Sequence, residues 1–489
     1  MKSNWWIIGF FFLSLQLHAQ EDQDTVSLPV EDRDSLRVLR IEDFMGLVLS
    51  NHPVVRQANL QELFADAEIL QARGMFDPKL STNWDLKNFK EKTYYDIQNT
   101  TLKIPTWFPV DPKFTLDRNS GEFLSLENSI PDENNNRQVG AGISLPLGKG
   151  LFIDERRMAV RQAQAFREIA LAEQTKMINK ILLTAIKDYW NWYLSYQQLR
   201  LLEQSVDIAE ELFSRVLLDY SFGEASVVDT VQAKITYQTR YTEYEQVNLD
   251  YIKSGLALAV HLWSEDLIPL ELKENVIPDT LANFGTIPDQ ATVDELIRWA
   301  RDFHPDIQKL GGKIRQLEVE NRWNRESLKP TVDVSYMLLD APITPQGDFN
   351  TPVWNDNYKF GLDIYFPIFL RKERGKLQKT QLKIQENELS LNQTRLEITN
   401  DIKAKYNEIL VSERLTNQFQ EMAENYQRLL EAEILNLETG ESDLFKLNIQ
   451  QDKYIESQLK FLKTAVKFQK SKAEILYESG LPFLSITEL

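Results

Sequence analysis

The sequence of 489 residues contains no cysteine, only four histidines, and only 18 glycines and 18 prolines. Without cysteine there is no disulfide framework and no thiol to carry an N-terminal lipid anchor or to act as a nucleophile. Scarce glycine and proline, beside abundant Gln, Glu, Leu and Lys, are typical of long helices rather than of a β-sandwich or a disordered chain. The net charge of −18 and the pI near 4.9 disfavour contact with phosphate backbones, so no nucleic-acid partner is predicted.

Signatures of catalysis and of cofactor binding are also missing. The chain has no HExxH motif, no glycine-rich phosphate loop and no G-x-S-x-G turn. His52 and His304 begin helices beside prolines, and His261 falls in a predicted coiled-coil segment. The acidic residues occupy helix-surface positions, where solvated charge is the ordinary role. The sequence therefore predicts that the protein is not an enzyme and uses neither a cofactor nor a metal.

The start of the chain, 1–20, has the pattern of a secretory signal. Lys2 supplies the positive start, Trp5–Leu17 the apolar stretch, and Leu17–Gln20 a small-residue cleavage site. The apolar stretch is too short to span a bilayer as a helix, although an uncleaved anchor is the alternative. No later segment has an apolar run long enough to do so. The sequence therefore predicts an exported chain without a transmembrane helix.

The remaining chain contains the same unit twice. His52-Pro53 recurs as His304-Pro305, and a further proline, Pro78 or Pro330, follows each pair at the same distance. The spans Tyr189–Gly223 and Tyr406–Gly440 match in the same way, since they are equal in length. Each copy has the order short helix, helix, strand, strand, very long helix, turn, long helix, which indicates one architecture built twice. The predicted units are a signal (1–20), an N-terminal extension (21–40), a first repeat (41–264), a linker (265–290) and a second repeat (291–489).

Two strands are predicted in each repeat, near residues 80–89, 137–145, 331–338 and 358–366. Apolar and polar residues alternate in all four, which places the apolar side chains on one face. Four such strands at matching places in an exported chain favour a lipid-facing β-barrel over a soluble sheet. The residues predicted to face lipid are Leu80, Trp84, Leu86, Val139, Ile143, Leu145, Val334, Tyr336, Phe360, Leu362 and Ile364.

The residues between the paired strands, 90–136 and 340–357, are rich in Asn, Asp, Pro and Ser. They are predicted to be loops outside the cell, because membrane barrels carry their long loops on that side. Four strands cannot close a barrel, and an open edge in lipid leaves backbone groups without partners. The sequence therefore predicts that several chains share one barrel.

Two long helical hairpins, 154–263 and 371–478, carry most of the mass. Neither Asp154–Phe222 nor Lys376–Thr439 contains proline or glycine, so each predicts a helix of about 100 Å. Leu382, Leu389 and Leu396 form one row with a seven-residue spacing, and Ile384, Leu391 and Ile398 form a second. Two apolar seams on one helix predict neighbours on both sides, as in a ring of helices, with an ordinary helical bundle as the alternative. The aromatic cluster Trp190–Tyr193 is predicted to pack between helices rather than to line a wall.

Each hairpin reverses at a turn that begins with glycine. A sharp reversal needs a residue with positive φ after the first helix, and glycine takes this conformation without a Cβ penalty. Ser226 and Asp443, three positions after the glycines, are good N-caps for the returning helices. The residues of the two turns are Gly223, Glu224, Ala225, Ser226, Gly440, Glu441, Ser442 and Asp443.

Taken in this order, the features from about Ile41 onward resemble the TolC-like outer-membrane efflux and secretion channels. The resemblance implies an α+β membrane protein that forms a homotrimer. Three chains would supply twelve strands to one outer-membrane barrel, continuous with a long periplasmic barrel of helices. The two turns would dock a periplasmic adaptor and, through it, an inner-membrane transporter. The implied function is the exit duct of a tripartite efflux pump or type I secretion system; the alternative is a periplasmic coiled-coil structural or adaptor protein without a pore.

The chain departs from this family at the periplasmic gate. Where some members carry the Tyr, Arg and Asp residues of a closing lock, this chain has Leu437, Ser442, Lys446 and Ile449. Only Asp229, six positions after the first glycine, is retained. Asp229 opposite Lys446 of a neighbouring hairpin is the candidate gate, with an exposed pair of no consequence as the alternative. The residues do not identify the cargo.

Overall fold

The computed structural model describes residues 37–130, 136–279, 287–340 and 357–482. The predicted signal, most of the N-terminal extension and most of the segment 340–357 lie outside these residues. In chain order the elements are β1 (Arg37–Leu39), α1 (Ile41–Asn51), α2 (Pro53–Arg73), β2 (Lys79–Phe89), β3 (Lys92–Lys103), β4 (Asp111–Ser120), β5 (Arg137–Pro146), α3 (Glu155–Phe222), α4 (Val227–Ala259), β6 (Val276–Pro278), α5 (Gln290–Phe303), α6 (Pro305–Glu326), β7 (Thr331–Asp340), β8 (Tyr358–Tyr365), α7 (Arg371–Glu438) and α8 (Leu444–Ser479).

Two very long helices, α3 and α7, run through the whole helical part. Each contains 68 residues and is therefore about 100 Å long, as predicted. Near the sheet the helices lie side by side in the order α2, α3, α6, α7, and farther from it in the order α4, α3, α8, α7. The shorter helices of each repeat thus line up along the long ones. Within the described residues no helix is long and apolar enough to cross a membrane.

The two His-Pro pairs begin α2 and α6 in the same way. The Nδ1 atom of His52 accepts a hydrogen bond from the Val54 amide, and that of His304 accepts one from the Asp306 amide, both at 3.1 Å. Burial, followed by the nearby His261, lowers the pKa of His52 to about 4, so its ring is neutral and can accept this bond near neutral pH. The prediction that both histidines begin helices is confirmed.

His261 lies beyond the end of α4, in a buried turn, and not in the coiled-coil segment that was predicted for it. Its Nε2 atom is 2.8 Å from a carboxylate oxygen of Asp188 on α3. The helix ends at Ala259, and Val260 is its C-cap. His261 therefore fastens the end of the first hairpin to its long helix.

The largest core cluster surrounds the middle of α3. Tyr189, Trp192 and Tyr193 are buried there together with Phe44 of α1. The Tyr189 hydroxyl donates a hydrogen bond to the Leu39 carbonyl at 2.8 Å, which satisfies its polar end in the core. The prediction that the aromatic cluster packs between helices is confirmed. A second cluster, built around Ile402, Ile409 and Phe468, occupies the equivalent part of the second repeat.

The main sheet contains six antiparallel strands in the order β2-β3-β4-β5-β7-β8. All four predicted strands are present, as β2, β5, β7 and β8, close to their predicted bounds. The prediction of four strands per chain is nevertheless wrong, because residues 90–136, predicted to be an outer loop, contain β3 and β4. The alternation in these two strands is weak, since Asp96, Gln98 and Thr100 follow one another on the face that is apolar elsewhere.

Candidate pore wall and periplasmic tip

The strand register gives the sheet one apolar and one polar face. Ile143 lies opposite Tyr336, and Val334 opposite Leu362, so their side chains share a face. All eleven residues predicted to face lipid lie on this apolar face. Several are strongly exposed in the single chain, with Leu80 at 71% and Ile364 at 67%. Exposed apolar side chains on one face of a sheet require a cover, which lipid would supply.

Lysines and aspartates occupy the other, polar face. Lys79, Lys103 and Lys113 are direct register partners on β2, β3 and β4. On β7 and β8, Asp333 lies directly opposite Asp363. Like charges opposite one another destabilise a sheet unless they are solvated. This face is therefore suited to line an aqueous channel.

The sheet curls toward its polar face at strand β5. The Thr115 hydroxyl on β4 reaches the Met337 sulfur on β7 at 3.5 Å, although β5 runs between the two strands. The contact passes over Gly140, whose missing side chain leaves the space open. Glycine on the inner face of a strand is a common means of curving a sheet. The backbone of Gly142 approaches β7 even more closely, so the joint between the two repeats depends on this glycine pair.

The connection between β3 and β4 is fastened to the start of α3. A carboxylate oxygen of Asp111 is 3.1 Å from Arg156, and the other oxygen is 3.5 Å from Lys103. The Trp107 ring lies 5.4 Å from the ring of Phe76, which closely precedes β2. The hairpin of β3 and β4 therefore extends along the full height of the sheet to its helical end.

The two glycine-led turns lie at the other end of the long helices. Gly223 has a φ of 83° and Gly440 a φ of 79°, as predicted from the need to reverse the chain. The Glu224 amide donates to the Asp219 carbonyl at 2.9 Å, and the Glu441 amide donates to the Asn436 carbonyl at 2.8 Å. Both long helices thus end with the same hydrogen bond, from the amide of one residue to the carbonyl five residues before it. This bond satisfies a carbonyl that the helix itself leaves free.

Ser226 and Asp443 are the N-caps of the returning helices, as predicted. The Ser226 hydroxyl accepts from the Asp229 amide at 3.2 Å, and the Asp443 carboxylate accepts from the Lys446 amide at 2.9 Å. Asp229 in turn accepts from the Ser226 amide at 2.9 Å, which completes a capping box.

The candidate gate residues each have a partner in their own turn. Hydrogen bonds from the hydroxyl and the amide of Ser226 lower the pKa of Asp229, and Lys446 lies 3.9 Å from the Asp443 carboxylate. Among the described ion pairs of the single chain, none joins Asp229 to Lys446. Their meeting across neighbouring hairpins remains a prediction.

An apolar groove near the turns was not predicted from the sequence. It lies between the first turns of α4 and α8 and encloses about 390 Å³. Val228 and Phe445, at equivalent positions of the two repeats, are 71% and 63% exposed at its mouth. The available signal was the apolar residue that follows each cap, since polar residues are the usual choice at exposed helix starts. We call this site the tip groove.

Within the part of the chain that the structure describes, no three histidine, aspartate or glutamate side chains are grouped so that they could hold a metal ion.

Comparison with known proteins shows which proteins the chain resembles. Residues 45–262 match the family model described as outer membrane efflux protein. Over about 90% of the chain the fold is that of solved outer-membrane channels at low sequence identity. The chain is TolC-like in its fold, and its first repeat is similar to the outer membrane efflux protein family. The predicted resemblance is thereby confirmed.

Three solved structures show how far the likeness extends. The CmeC outer membrane channel of Campylobacter jejuni is 14% identical, with a TM-score of 0.63 over 90% of this chain and 85% of that one. VceC of Vibrio cholerae is 13% identical, with a TM-score of 0.63 over 91% and 96%. The open state of the Neisseria gonorrhoeae MtrE channel is 14% identical, with a TM-score of 0.64 over 90% and 89%. No curated protein matches the sequence.

The TolC-like fold and the family match support function as an outer-membrane exit duct of an efflux pump, with the helical part in the periplasm. The family is one of channels and not of enzymes. Its channels form trimers and work with other components of efflux pumps.

Proposed function

We propose that three copies of the chain close edge to edge into one duct, which receives cargo from a periplasmic adaptor and releases it outside the cell. The observation that carries this proposal is the position of the free edges. The sheet ends at β2 and β8, and the adjoining helix layer ends at α2 and α7. Because α2 leads into β2 and β8 leads into α7, sheet and helices end on the same two sides of the molecule. A head-to-tail ring pairs these two sides at every interface.

Exposed apolar side chains lie on α2 and α7, the two helices at the ends of the helix layer. Leu63 and Phe64 on α2 are 62% and 61% exposed, and Leu389 on α7 is 71% exposed. Leu382 and Leu396, one heptad to either side of Leu389, are exposed as well. A seven-residue row of leucines is typical of a helix that packs lengthwise on another. The neighbouring copy is the partner that offers an apolar helix of matching height.

The internal duplication indicates which residues would meet. Within one chain α6 packs against α3, with Gly312 directly over Ile169. In the ring, α2 of one copy would occupy the place of α6, and α7 of the next copy the place of α3. Superposing the His-Pro pairs of the two repeats carries Gly312 onto Leu60. Superposing Tyr189 on Tyr406 likewise carries Ile169 onto Glu386, so Leu60 is expected to lie over Glu386 of the neighbouring copy.

Cysteines at Leu60 and Glu386 should cross-link neighbouring copies. The chain has no native cysteine, so every bond formed is the engineered one. In the Leu60→Cys/Glu386→Cys variant, mild oxidation in isolated outer membranes should convert most of the protein into covalent trimers on a denaturing gel. The bond is expected because Cβ atoms at such a contact lie within disulfide range.

The matched control pairs Leu60→Cys with Gln393→Cys, one heptad along the same face of α7. It should cross-link far less, because the partner cysteine lies about 10 Å away along the helix. Equal cross-linking of the two pairs, or monomers from both, would show that the edges meet differently.

We also propose that the two turns and the tip groove dock the adaptor. The turns recur at equivalent positions, so three chains present six similar hairpin ends. Each end offers exposed apolar residues beside a capped turn. Contact at one end is small, so stable docking would depend on several ends at once. In this setting the gate would lie between neighbouring turns, with Asp229 and Lys446 at its candidate contact. The role proposed for the chain is passage, and it requires no catalytic residue.

Valine at Gly223 and Gly440 should abolish export while the trimer persists. No atom lies within 4 Å of a Cβ built on either glycine, so the cost is purely conformational. A β-branched residue at positive φ costs about 1–3 kcal/mol, enough to reshape each turn. A photo-cross-linker at Glu224 or Glu441 should capture a periplasmic partner in the native protein and lose it in the double variant.

Gly375→Val, near the start of α7 and likewise in open space, is the control and should preserve export. If export persists in the Gly223→Val/Gly440→Val double variant with the trimer intact, the adaptor docks elsewhere on the helices.

A further inference from the structure

The hairpin of β3 and β4 is a full part of the sheet. Its ladder with β2 runs from Lys79 to Phe89, with one shift of register between Lys87 and Asn88, and its ladder with β5 runs from Arg137 to Ser144. Both strands run the height of the sheet, and their connection reaches the start of α3 through Asp111 and Arg156. These contacts place the hairpin in the wall between β2 and β5 and not above it.

Near the helices both faces of the sheet continue across the hairpin, whereas farther from them Asp96, Gln98 and Thr100 place polar side chains on the apolar face of β3. One row of register partners on the apolar face crosses all six strands, and its members are Leu80, Leu102, Phe114, Ala141, Leu338 and Tyr358. A row on the polar face begins with Lys79, Lys103 and Lys113, the last two from the hairpin. A hairpin folded over an opening or into solvent would have no reason to continue these two rows of its neighbours.

We propose that the barrel formed by the assembled chains has eighteen strands and a correspondingly wide outlet for bulky polar cargo. The proposal rests on the three-chain duct proposed above: three sheets of six strands make eighteen, where four strands per chain would make twelve. The diameter of a barrel grows about linearly with its strand number, so the outlet is ~1.5 times as wide and about twice as large in cross-section. Barrels of about 16–18 strands leave an aqueous channel, whereas small barrels are filled by their own side chains. The outlet wall therefore admits large hydrated solutes.

Thiol labelling of adjacent residues tests whether the hairpin forms part of the wall. Thr101→Cys and Thr115→Cys lie on the polar face, and Leu102→Cys and Leu116→Cys are their neighbours on the apolar face. In outer membranes, a charged thiol reagent should label the two threonine positions at least ~10 times faster than the two leucine positions, because lipid covers alternate residues. Similar rates at adjacent positions would overturn the proposal.

Removal of the hairpin tests the width. β2 and β5 run in opposite directions, so a short turn replacing residues 91–135 lets them pair directly and leaves four strands per chain. With polyethylene glycols of graded size added on the outer side of a planar bilayer, the largest polymer that enters the native outlet should have ~1.5 times the radius of the largest that enters the deletion variant. If the largest polymer that enters had the same radius in the native protein and in the deletion variant, the proposal would be overturned.

The mass of the detergent-solubilised native protein separates the two proposals. Three chains with similar labelling of both faces would leave the duct in place and remove only the eighteen-stranded wall. A monomer without channel activity would contradict the duct itself and the wall that rests on it. A mass of three chains, together with labelling that alternates between the faces and a larger polymer size limit in the native protein, supports both the duct and the eighteen-stranded wall.

Discussion

Alanine in place of Gly142 is expected to prevent assembly of the channel. An alanine Cβ would overlap the Tyr336 carbonyl oxygen and lie 2.7 Å from the Met337 Cα, and neither backbone atom can rotate away. Gly142 pairs with Met337 in the ladder of β5 and β7, which joins the two repeats in the sheet. Separating these strands exposes backbone groups to lipid at a cost of several kcal/mol each. Heat-modifiable trimer in outer-membrane fractions should fall to a small fraction of the native amount.

Gly46→Ala in α1 is the matched control. No atom lies within 4 Å of its built Cβ, and alanine is favoured over glycine inside a helix by about 1 kcal/mol. This variant should assemble at the native level or slightly above it. A Gly142→Ala protein that assembled as well as Gly46→Ala would mean that β5 and β7 do not approach each other as described.

Arginine at Leu362 should strongly destabilise the assembled channel, whereas Asp363→Asn should not. Leu362 is half-exposed on the apolar face of β8, beside Val334. A charge near the middle of the lipid layer costs about 2–4 kcal/mol at each such site, and a trimer carries three. The midpoint of urea unfolding in lipid vesicles measures the change.

Asp363, the next residue, points to the polar face and lies opposite Asp333. Its replacement by asparagine removes a repulsion between like charges, so stability should be kept while the ion selectivity of the open channel shifts. Equal tolerance of the two substitutions would contradict the assignment of lipid and lumen faces to the sheet.

Much of the architecture could be predicted because the patterns that indicate it lie within single segments of the sequence. Clear alternation in β5 and β8 fixed both their extent and their faces. The absence of helix breakers bounded α3 and α7, and the glycines of the two turns have the positive φ that their position requires. In each case one segment contains all the information, since period, caps and breakers act over a few residues.

The hairpin of β3 and β4 was not predicted, and the reason is physical. Asp96 and Gln98 sit on the apolar face of β3, and the Trp84 indole donates to the Asp96 carboxylate at 2.8 Å from the neighbouring strand. A hydrogen-bond partner on another strand allows a polar residue on the apolar face, and the sequence pattern of β3 alone does not reveal this partner. The tip groove was missed likewise, because Val228 and Phe445 become one surface only when α4 and α8 lie side by side.

By itself, therefore, the sequence determined the duplicated unit, its long helices, its capped turns and the faces of four strands. All of these follow from spacing along the chain. Only the tertiary structure decided that six strands form the wall, that glycines curl it at β5, and that sheet and helices end on the same two sides. These properties depend on pairing between residues far apart in sequence, which hydrogen-bond register and the space left by absent side chains specify and local pattern does not.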